Sequence, residues 1–400
     1  MFKTIPRMRI IFPRKYWRIL LITILKNKLI TGYSVKKFED NFSRFIGVKH
    51  AISMPSARIG LYSILKLVGI KKDDEIILSS YNTPIAINII TSINAKPIFV
   101  DINSDTLNID SKLIEEKITQ KTKAIIVLHA HGNPCEMDDI IKTAKKHNLV
   151  VIEDCAHALG SKYKYRIMGS IGDFGIFSFG IGKSINTLGG GMVVTNNKKN
   201  AEKIRKQMKS FRKPNSFNLI KKFILADLLS FLTNPIIFSI FVYPFLIISN
   251  LFRKDIIYKF FEDVGTPKIE RKSLIKLSNF QALLGLEQLK GLEARLKKQR
   301  HNIDIFLKKI NRKKIKFQKV TPSSKPVYLH FTLLPNNRSN LIRKLLWKGI
   351  DVQASWMKSC SSKNGYPISD MISEQATYIP IYPDLTEKDI KYVVNVLNGE

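Results

Sequence analysis

Three side chains between Val151 and Thr195 have types and spacings that could do chemistry together. Asp154 closes the apolar run Val150-Val151-Ile152-Glu153-Asp154. Ser178 stands near the end of a second run, Gly175–Phe179, and Lys183 follows five residues later in a loop leading to Gly189-Gly190-Gly191. Buried strands that end in polar residues are how α/β sheets present reactive groups. An amine, a carboxylate and a hydroxyl at neighbouring strand ends suit pyridoxal phosphate. That cofactor needs an amine for its aldehyde, a carboxylate for its ring nitrogen and donors for its phosphate.

The elements around this stretch must place those groups side by side. Strands are expected at 50–54, 75–79, 96–100, 124–128 and 149–152, and helices at 35–45, 84–93, 111–118 and 137–147. Strands alternating with helices at this spacing imply a mostly parallel sheet covered on both faces, with ligands at the carboxyl ends of its strands. Ser56-Ala57-Arg58 reads as a strand-to-helix turn, whose free N–H groups could bind a phosphate. Beyond residue 265 the pattern is that of a smaller α+β domain. It has a capped helix over 278–297, strands at 327–334 and 351–354, an extended 378–383 segment and a last helix capped at Thr386. His129 and His131 end one strand with no third ligand nearby in sequence. They read as hydrogen-bonded loop histidines, and no metal site is expected.

Glu153-Asp154-Cys-Ala-His157, the Gly169-Ser-Ile-Gly-Asp173 turn, Phe177-Ser178-Phe179 and Lys183 together resemble the DegT/DnrJ/EryC1/StrS family of pyridoxal-phosphate sugar aminotransferases. The resemblance extends to VKKFEDNFSRFIGVKHAI, SARIGL, AKPIFVDI, HAHGNPCEMDDI, NFQALLGLEQL and IPIYPDLTEKDI. It implies an aspartate-aminotransferase-like (type I) fold, with the small domain closing over the site in a homodimer whose active sites lie between subunits. It also implies a nucleotide-linked keto-sugar as acceptor and glutamate as amine donor, in the synthesis of cell-surface polysaccharide or glycoconjugate. Lys183 would carry the cofactor and move the proton. Asp154 would pair with the ring nitrogen and raise its pKa, and His157 would reach the ring hydroxyl. Ser178 would bind the phosphate together with the backbone amides of Ala57 and Arg58. The position where relatives place a ring over the cofactor falls at Thr83, with Tyr81 two residues earlier. The acidic residue that many relatives carry in the glycine cluster is Gly189, and their R-M-S motif reads Lys276-Leu277-Ser278.

Four hundred residues suffice for two cores, and the net charge of +34 favours anionic partners. Three cysteines without zinc or disulfide spacing suggest a reduced, cytoplasmic chain. Residues 1–30 hold eight basic side chains and no acidic one, interleaved with Tyr16, Trp17, Ile19, Leu20 and Leu21. They fit a basic amphipathic segment on the inner face of a membrane, or an arm packed on a partner subunit. Lys26 and Lys28, with no small-residue cleavage site, argue against a signal peptide. Residues 31–213 form the expected cofactor-binding domain and 214–264 a hydrophobic insertion. The insertion's run Leu228–Phe252 has 25 residues without a charge, broken by Pro235 and Pro244 and flanked by Lys221-Lys222 and Arg253-Lys254. A single span would separate the two halves of the site. An interfacial helix pair, with 216–262 and 1–30 as the membrane-facing parts, is therefore expected, and a hydrophobic cap on a dimer interface is the alternative. A dehydratase of the same fold is the nearest rival, but those relatives lack the lysine. A scaffold that has lost turnover is the rival of another class. No nucleic-acid-binding signature accompanies the charge.

Overall fold

The structure is a computed structural model that describes residues 4–251, 269–313, 315–361 and 365–399. The large domain is built on a seven-stranded sheet. Its strands in chain order are β1 (His50–Met54), β2 (Glu75–Ser79), β3 (Lys96–Val100), β4 (Thr122–Leu128), β5 (Val150–Asp154), β6 (Phe174–Ser178) and β7 (Gly191–Thr195). Across the sheet they lie β1-β7-β6-β5-β4-β2-β3. β7 runs antiparallel to both β1 and β6, and the remaining pairings are parallel.

Side chains alternate between faces with period two, so each strand feeds two cores. Ile77, Ile125, Val127 and Val151 pack on one face with Phe38 and Phe42 of α2 (Ser34–Ile46). Ile76, Leu78, Ile126 and Ile152 pack on the other with Ile59 and Ile64 of α3 (Ala57–Leu67) and Ile89 of α4 (Pro84–Ser92). Met137 and Ile140 of α5 (Met137–Lys146) join the first face, and Ala201 and Ile204 of α6 (Lys198–Met208) the second.

The insertion begins with α7 (Ser216–Leu232), continues through a turn at Pro235–Ile237 and ends its described part with α8 (Tyr243–Leu251). Residues 252–264, with the expected flank Arg253-Lys254, lie outside the described residues. Then come α9 (Asn279–Lys290), α10 (Leu292–Lys309), α11 (Arg338–Trp347), α12 (Pro367–Gln375) and α13 (Glu387–Asn398). The small domain packs α10 and α13 on a three-stranded sheet of Phe331–Leu333, Thr377–Ile379 and Gln353–Ala354, in that order.

Three expected elements come out shorter. The helix expected over 278–297 has its capping box at Ser278 but ends at Lys290, and Gly291 separates it from α10. Glycine costs about 1 kcal/mol inside a helix, which makes this the weak point. The strand expected over 327–334 is confined to Phe331–Leu333, because Tyr328 has φ of 50° and cannot be extended. At 351–354 only Gln353–Ala354 joins the ladder. The backbone just before it pairs elsewhere: Ile5 N–H donates to Gly349 O at 2.8 Å, and Asp351 N–H donates to Ile5 O at 2.9 Å. The segment 111–118 forms two short 3-10 turns in place of an α-helix.

The N-terminal segment packs on its own chain. Residues 4–13 run across the small domain to α1 (Lys15–Leu25), which buries Tyr16 and Leu20. Phe12, Tyr16 and Leu20 share a core with Phe223 of α7 and Phe280 of α9, and the Phe12 and Phe223 rings meet edge-on at 4.9 Å. Phe238 and Leu246 pack instead on Leu346 of α11, where the Tyr243 hydroxyl donates to Leu346 O at 2.8 Å. The insertion therefore rests on the large domain at one end and on the small domain at the other.

Candidate active site

Asp154 owes its position to the carboxylate before it. Glu153 is fully buried and accepts backbone N–H groups of Gly169 at 2.8 Å and of Ile171 and Gly172 at 2.7 Å. His129 Nε2 lies 3.2 Å from the same carboxylate. Desolvation alone would raise the Glu153 pKa, but these hydrogen bonds outweigh it and hold the carboxyl below its ordinary value. The Gly169–Asp173 turn is thus tied to β5, and Asp173 returns a bond by accepting Val151 N–H at 2.8 Å. Asp154 is left at the carboxyl end of β5, paired in register with Ile176 of β6. Its Oδ1 accepts Ala156 N–H at 3.0 Å. Burial raises its pKa, offset by that bond and by Lys183.

Lys183 follows β6, its N–H on Gly180 O at 3.2 Å. Its amine has no hydrogen-bond acceptor among the described residues. Burial pulls its pKa down to about 8, against the opposing pull of Asp154. His157 is 5% exposed, and its Nδ1 has no partner. Burial holds its pKa well below the ordinary value, so the ring is neutral. These partnerless polar atoms beside a desolvated amine fit a ring cofactor with polar substituents.

The turn expected to cradle a phosphate is built as specifically. Ser56 caps α3 by accepting Ile59 N–H at 3.2 Å, leaving the first-turn amides of Ala57 and Arg58 without an intrahelical acceptor. Gly191 pairs with Ser178 on one side and Met54 on the other. A Cβ on Gly191 would lie 2.6 Å from the Ala57 nitrogen. Only glycine lets β7 pass so close to the start of α3, and this brings Ser178 and the Ala57–Arg58 turn to one place.

The two candidates for ring stacking diverge. Thr83 is the partly exposed N-cap of α4. Tyr81 is wholly buried, its hydroxyl 2.8 Å from Ser355 Oγ and 3.4 Å from His131 Nε2. Tyr81 belongs to an aromatic cluster that joins the two domains. His131 stacks on His157 at 6.4 Å, His330 stacks on Tyr378 at 4.2 Å, and Trp356 meets His330 at 5.3 Å. Burial leaves His131 with a pKa of about 3 and pushes His330 well below its ordinary value, so both rings are neutral. Sequence reasoning missed His330, Trp356 and Tyr378, which lie in irregular segments or, for Tyr378, on a three-residue strand too short to show a periodic pattern.

Among the described residues, one group has metal-ligand spacing: His129, Glu153 and Cys155, with ligand atoms within 4.8 Å of one another. Its donors are already committed. His129 Nδ1 accepts Cys135 N–H at 3.1 Å while Nε2 meets Glu153, and burial keeps the Cys155 thiol protonated.

Lys183 opens into a cavity of about 210 Å³. Its walls include His330, Gln353 and Tyr378 of the small domain, Arg295 of α10, and Arg9 and Tyr16 of the N-terminal segment. Arg9 and Tyr16 were expected to face a membrane or a partner subunit. Their contribution to the cavity had no signal in the sequence.

The sheet, the strand-end lysine and carboxylate and the glycine-lined anion turn define an enzyme of the aminotransferase class. The chain belongs to the DegT/DnrJ/EryC1/StrS aminotransferase family, whose model matches residues 20–219 and 268–398. It is 32% identical over 401 residues to the uncharacterized protein MJ1066 of Methanocaldococcus jannaschii, covering 94% of this chain and 92% of that one. GDP-perosamine synthase of Escherichia coli O157:H7 is 43% identical over 167 residues, 42% of this chain and 46% of its own. The spore coat polysaccharide biosynthesis protein SpsC of Bacillus subtilis is 41% identical over 183 residues, 46% of this chain and 47% of its own. The chain thus aligns with less than half the length of these last two relatives. In fold it matches DesV of S. venezuelae with a TM-score of 0.78 at 20% identity, over 99% of this chain and 98% of that one.

Proposed function

We propose that this enzyme transfers an amino group from an amino acid, with glutamate as donor, to a nucleotide-linked keto-sugar, using pyridoxal 5'-phosphate. The carrying observation is the partnerless, desolvated Lys183 amine beside Asp154, with the Ser178 and Ala57–Arg58 cradle at the next strand ends. Relatives named for GDP-perosamine and spore-coat polysaccharide synthesis support a nucleotide-sugar acceptor. When bound, the cofactor supplies an electron sink for charge developing at an amino acid's α-carbon. Asp154 would hold the proton on the ring nitrogen. Lys183 Nζ, neutral in a far larger share near pH 8 than an exposed lysine, would take the α-proton and return it. His157, as a neutral ring, would donate or accept a hydrogen bond without adding charge. Purified protein should turn yellow with cofactor, and borohydride should remove the band and fix the cofactor's mass at Lys183. A protein that stays colourless overturns the reading.

A homodimer and a peripheral site on the inner membrane face complete this proposal. Among the described residues no single helix is long and apolar enough to cross a membrane. Ser216–Leu232 and Pro235–Ser249 pass the length and composition test together but are bent by 70°. Support for the surface reading lies in the outward side chains. Leu25 is 84% exposed and Phe217 74%, with Leu21, Phe231 and Phe241 also exposed beside Arg14, Arg18, Lys26, Lys221 and Lys222. Asp227 is the only carboxylate between 214 and 251, and it accepts the Trp17 indole N–H at 3.2 Å. Leu25→Ser with Phe217→Ser and Phe241→Ser should lose co-sedimentation with phosphatidylglycerol vesicles at unchanged cofactor content. Full-length protein that ignores such vesicles overturns this part.

A further inference from the structure

The charges around the cavity are one-sided. Arg7, Arg9, Lys183 and Arg295 line it, and no Asp or Glu among the described residues does. Arg7 is neutralised by a buried bidentate pair with Asp351, at 2.8 Å from Nε and 2.7 Å from Nη2. Arg9 and Arg295 form no ion pair among the described residues, and Asp384 acts on Arg9 only from beyond that distance. Arg9 spends only Nη1, on Ser230 O, on Ile10 O at 3.1 Å and on Thr233 Oγ1 at 3.0 Å. Its Nε and Nη2 meet no acceptor among the described residues. Arg295 donates from Nη2 to two carbonyls, Ser184 O at 3.3 Å and Gln288 O at 3.0 Å, and meets no carboxylate among the described residues. Both guanidiniums are desolvated enough to lower their pKa. Gln353 is 4% exposed and gives its Oε1 to Arg7 at 3.4 Å, which leaves its Nε2 without a partner in the cavity wall.

Two partly buried guanidiniums without an ion pair and an unused amide donor call for a dianion with several acceptor oxygens. The amine donor's carboxylates and the acceptor's diphosphate share that chemistry. Position favours the second. Arg9 precedes the family-matched segment, which begins at residue 20, and part of the insertion that holds Arg9 lies in the unmatched gap 220–267. Arg9 and its holder thus lie outside the family-matched segments, which suits the acceptor, the substrate that differs between family members, whereas an amino-acid donor needs only the matched core that carries Asp154 and Lys183. We propose that Arg9, Arg295 and Gln353 form a subsite for the diphosphate of the nucleotide-linked sugar. This rests on the acceptor class proposed above.

The test uses full-length holoenzyme, calorimetry with inorganic pyrophosphate, and glutamate-driven conversion of the cofactor followed by absorbance without any sugar. Arg9→Gln and, separately, Arg295→Gln should weaken pyrophosphate about tenfold or more while the glutamate reaction keeps its rate. Arg9→Lys should restore part of the binding. If Arg9→Gln loosens the insertion, seen as a fall in melting temperature, Arg295→Gln decides alone, since Arg295 makes no bond to the insertion. Unchanged pyrophosphate affinity in Arg295→Gln overturns the subsite, as does loss of the glutamate reaction with pyrophosphate binding intact. A holoenzyme that converts glutamate and binds pyrophosphate through these arginines, yet aminates no nucleotide sugar, refutes the acceptor and not the anion subsite.

Discussion

Asp154 ends a strand of the large-domain sheet and Lys183 follows another, whereas Arg9 and Tyr16 reach the cavity that Lys183 opens into on an N-terminal segment held by the insertion, the small domain and α9. The first pair is placed locally. Glu153, one residue from Asp154, gathers the turn that orients it, and β6 leads directly into Lys183. The second pair is placed by contacts more than 200 residues away in sequence, such as Phe12 N–H on Ser230 Oγ and Arg7 on Asp351. The candidate reactive groups sit on the family-matched sheet, and part of the cavity wall comes from a segment that precedes the match at residue 20.

Substitutions can break this contrast in graded steps. Lys183→Ala should remove the borohydride-fixed adduct and all turnover, measured by intact mass and amine transfer, while the fold survives. Phe223→Ala removes a fully buried ring from the core that anchors the wall, and should cost about 3–5 kcal/mol in a denaturant titration. Glu153→Gln should cost about 3 kcal/mol and lower cofactor affinity, because it takes the charge from a carboxylate that accepts three amides. The Glu153 carboxyl is held below its ordinary value. Its stabilisation is therefore present above the unfolded pKa and is lost as pH falls through the folded one, and Glu153→Gln should flatten that acid limb. Arg7→Ala breaks the buried pair with Asp351 on the wall side. It should raise the sugar KM several-fold while cofactor uptake stays normal; equal damage to both would erase the contrast.

The smallest effect concerns pH. Lys183 has its pKa depressed from 10.5 to about 8. Between those values the cofactor-free fold binds fewer protons than the unfolded chain, so this group makes the fold more stable as pH rises through the window. Lys183→Met should remove that slope. Cofactor uptake should rise through pH 8, well before an exposed lysine would react.

The sheet and the placement of Asp154, Ser178 and Lys183 on it were legible because they follow short-range rules. Continuous apolar runs mark the strands, which are buried on both faces, and Asp154, Ser178 and Lys183 lie at strand ends or within a few residues of them. The E-D and G-S-I-G-D motifs proved to be two halves of one hydrogen-bond network, joined at Glu153. The wall was illegible for the opposite reason. Basic and apolar residues interleaved over 1–30 satisfy a membrane surface and a protein groove equally well, and only the facing residues decide. Tyr16 and Leu20 are buried, while Leu21 and Leu25 remain exposed on the same helix. The aromatic cluster of His131, His157, His330, Trp356 and Tyr378 assembles from five separate chain segments, and no local spacing announces it.

The backbone bridge between Ile5 and Ile350 has a mechanical consequence. With Arg7 clamped to Asp351, it fastens the chain to the small domain, and at Phe12 the same chain enters the core beside α7 and α9. Four residues lie between Arg7 and Phe12, and the five steps from one to the other reach at most about 17 Å when fully extended. Any swing of the small domain away from the sheet must draw on that slack. The segment therefore acts as a leash, limiting how far the cavity can open to admit substrate or release product.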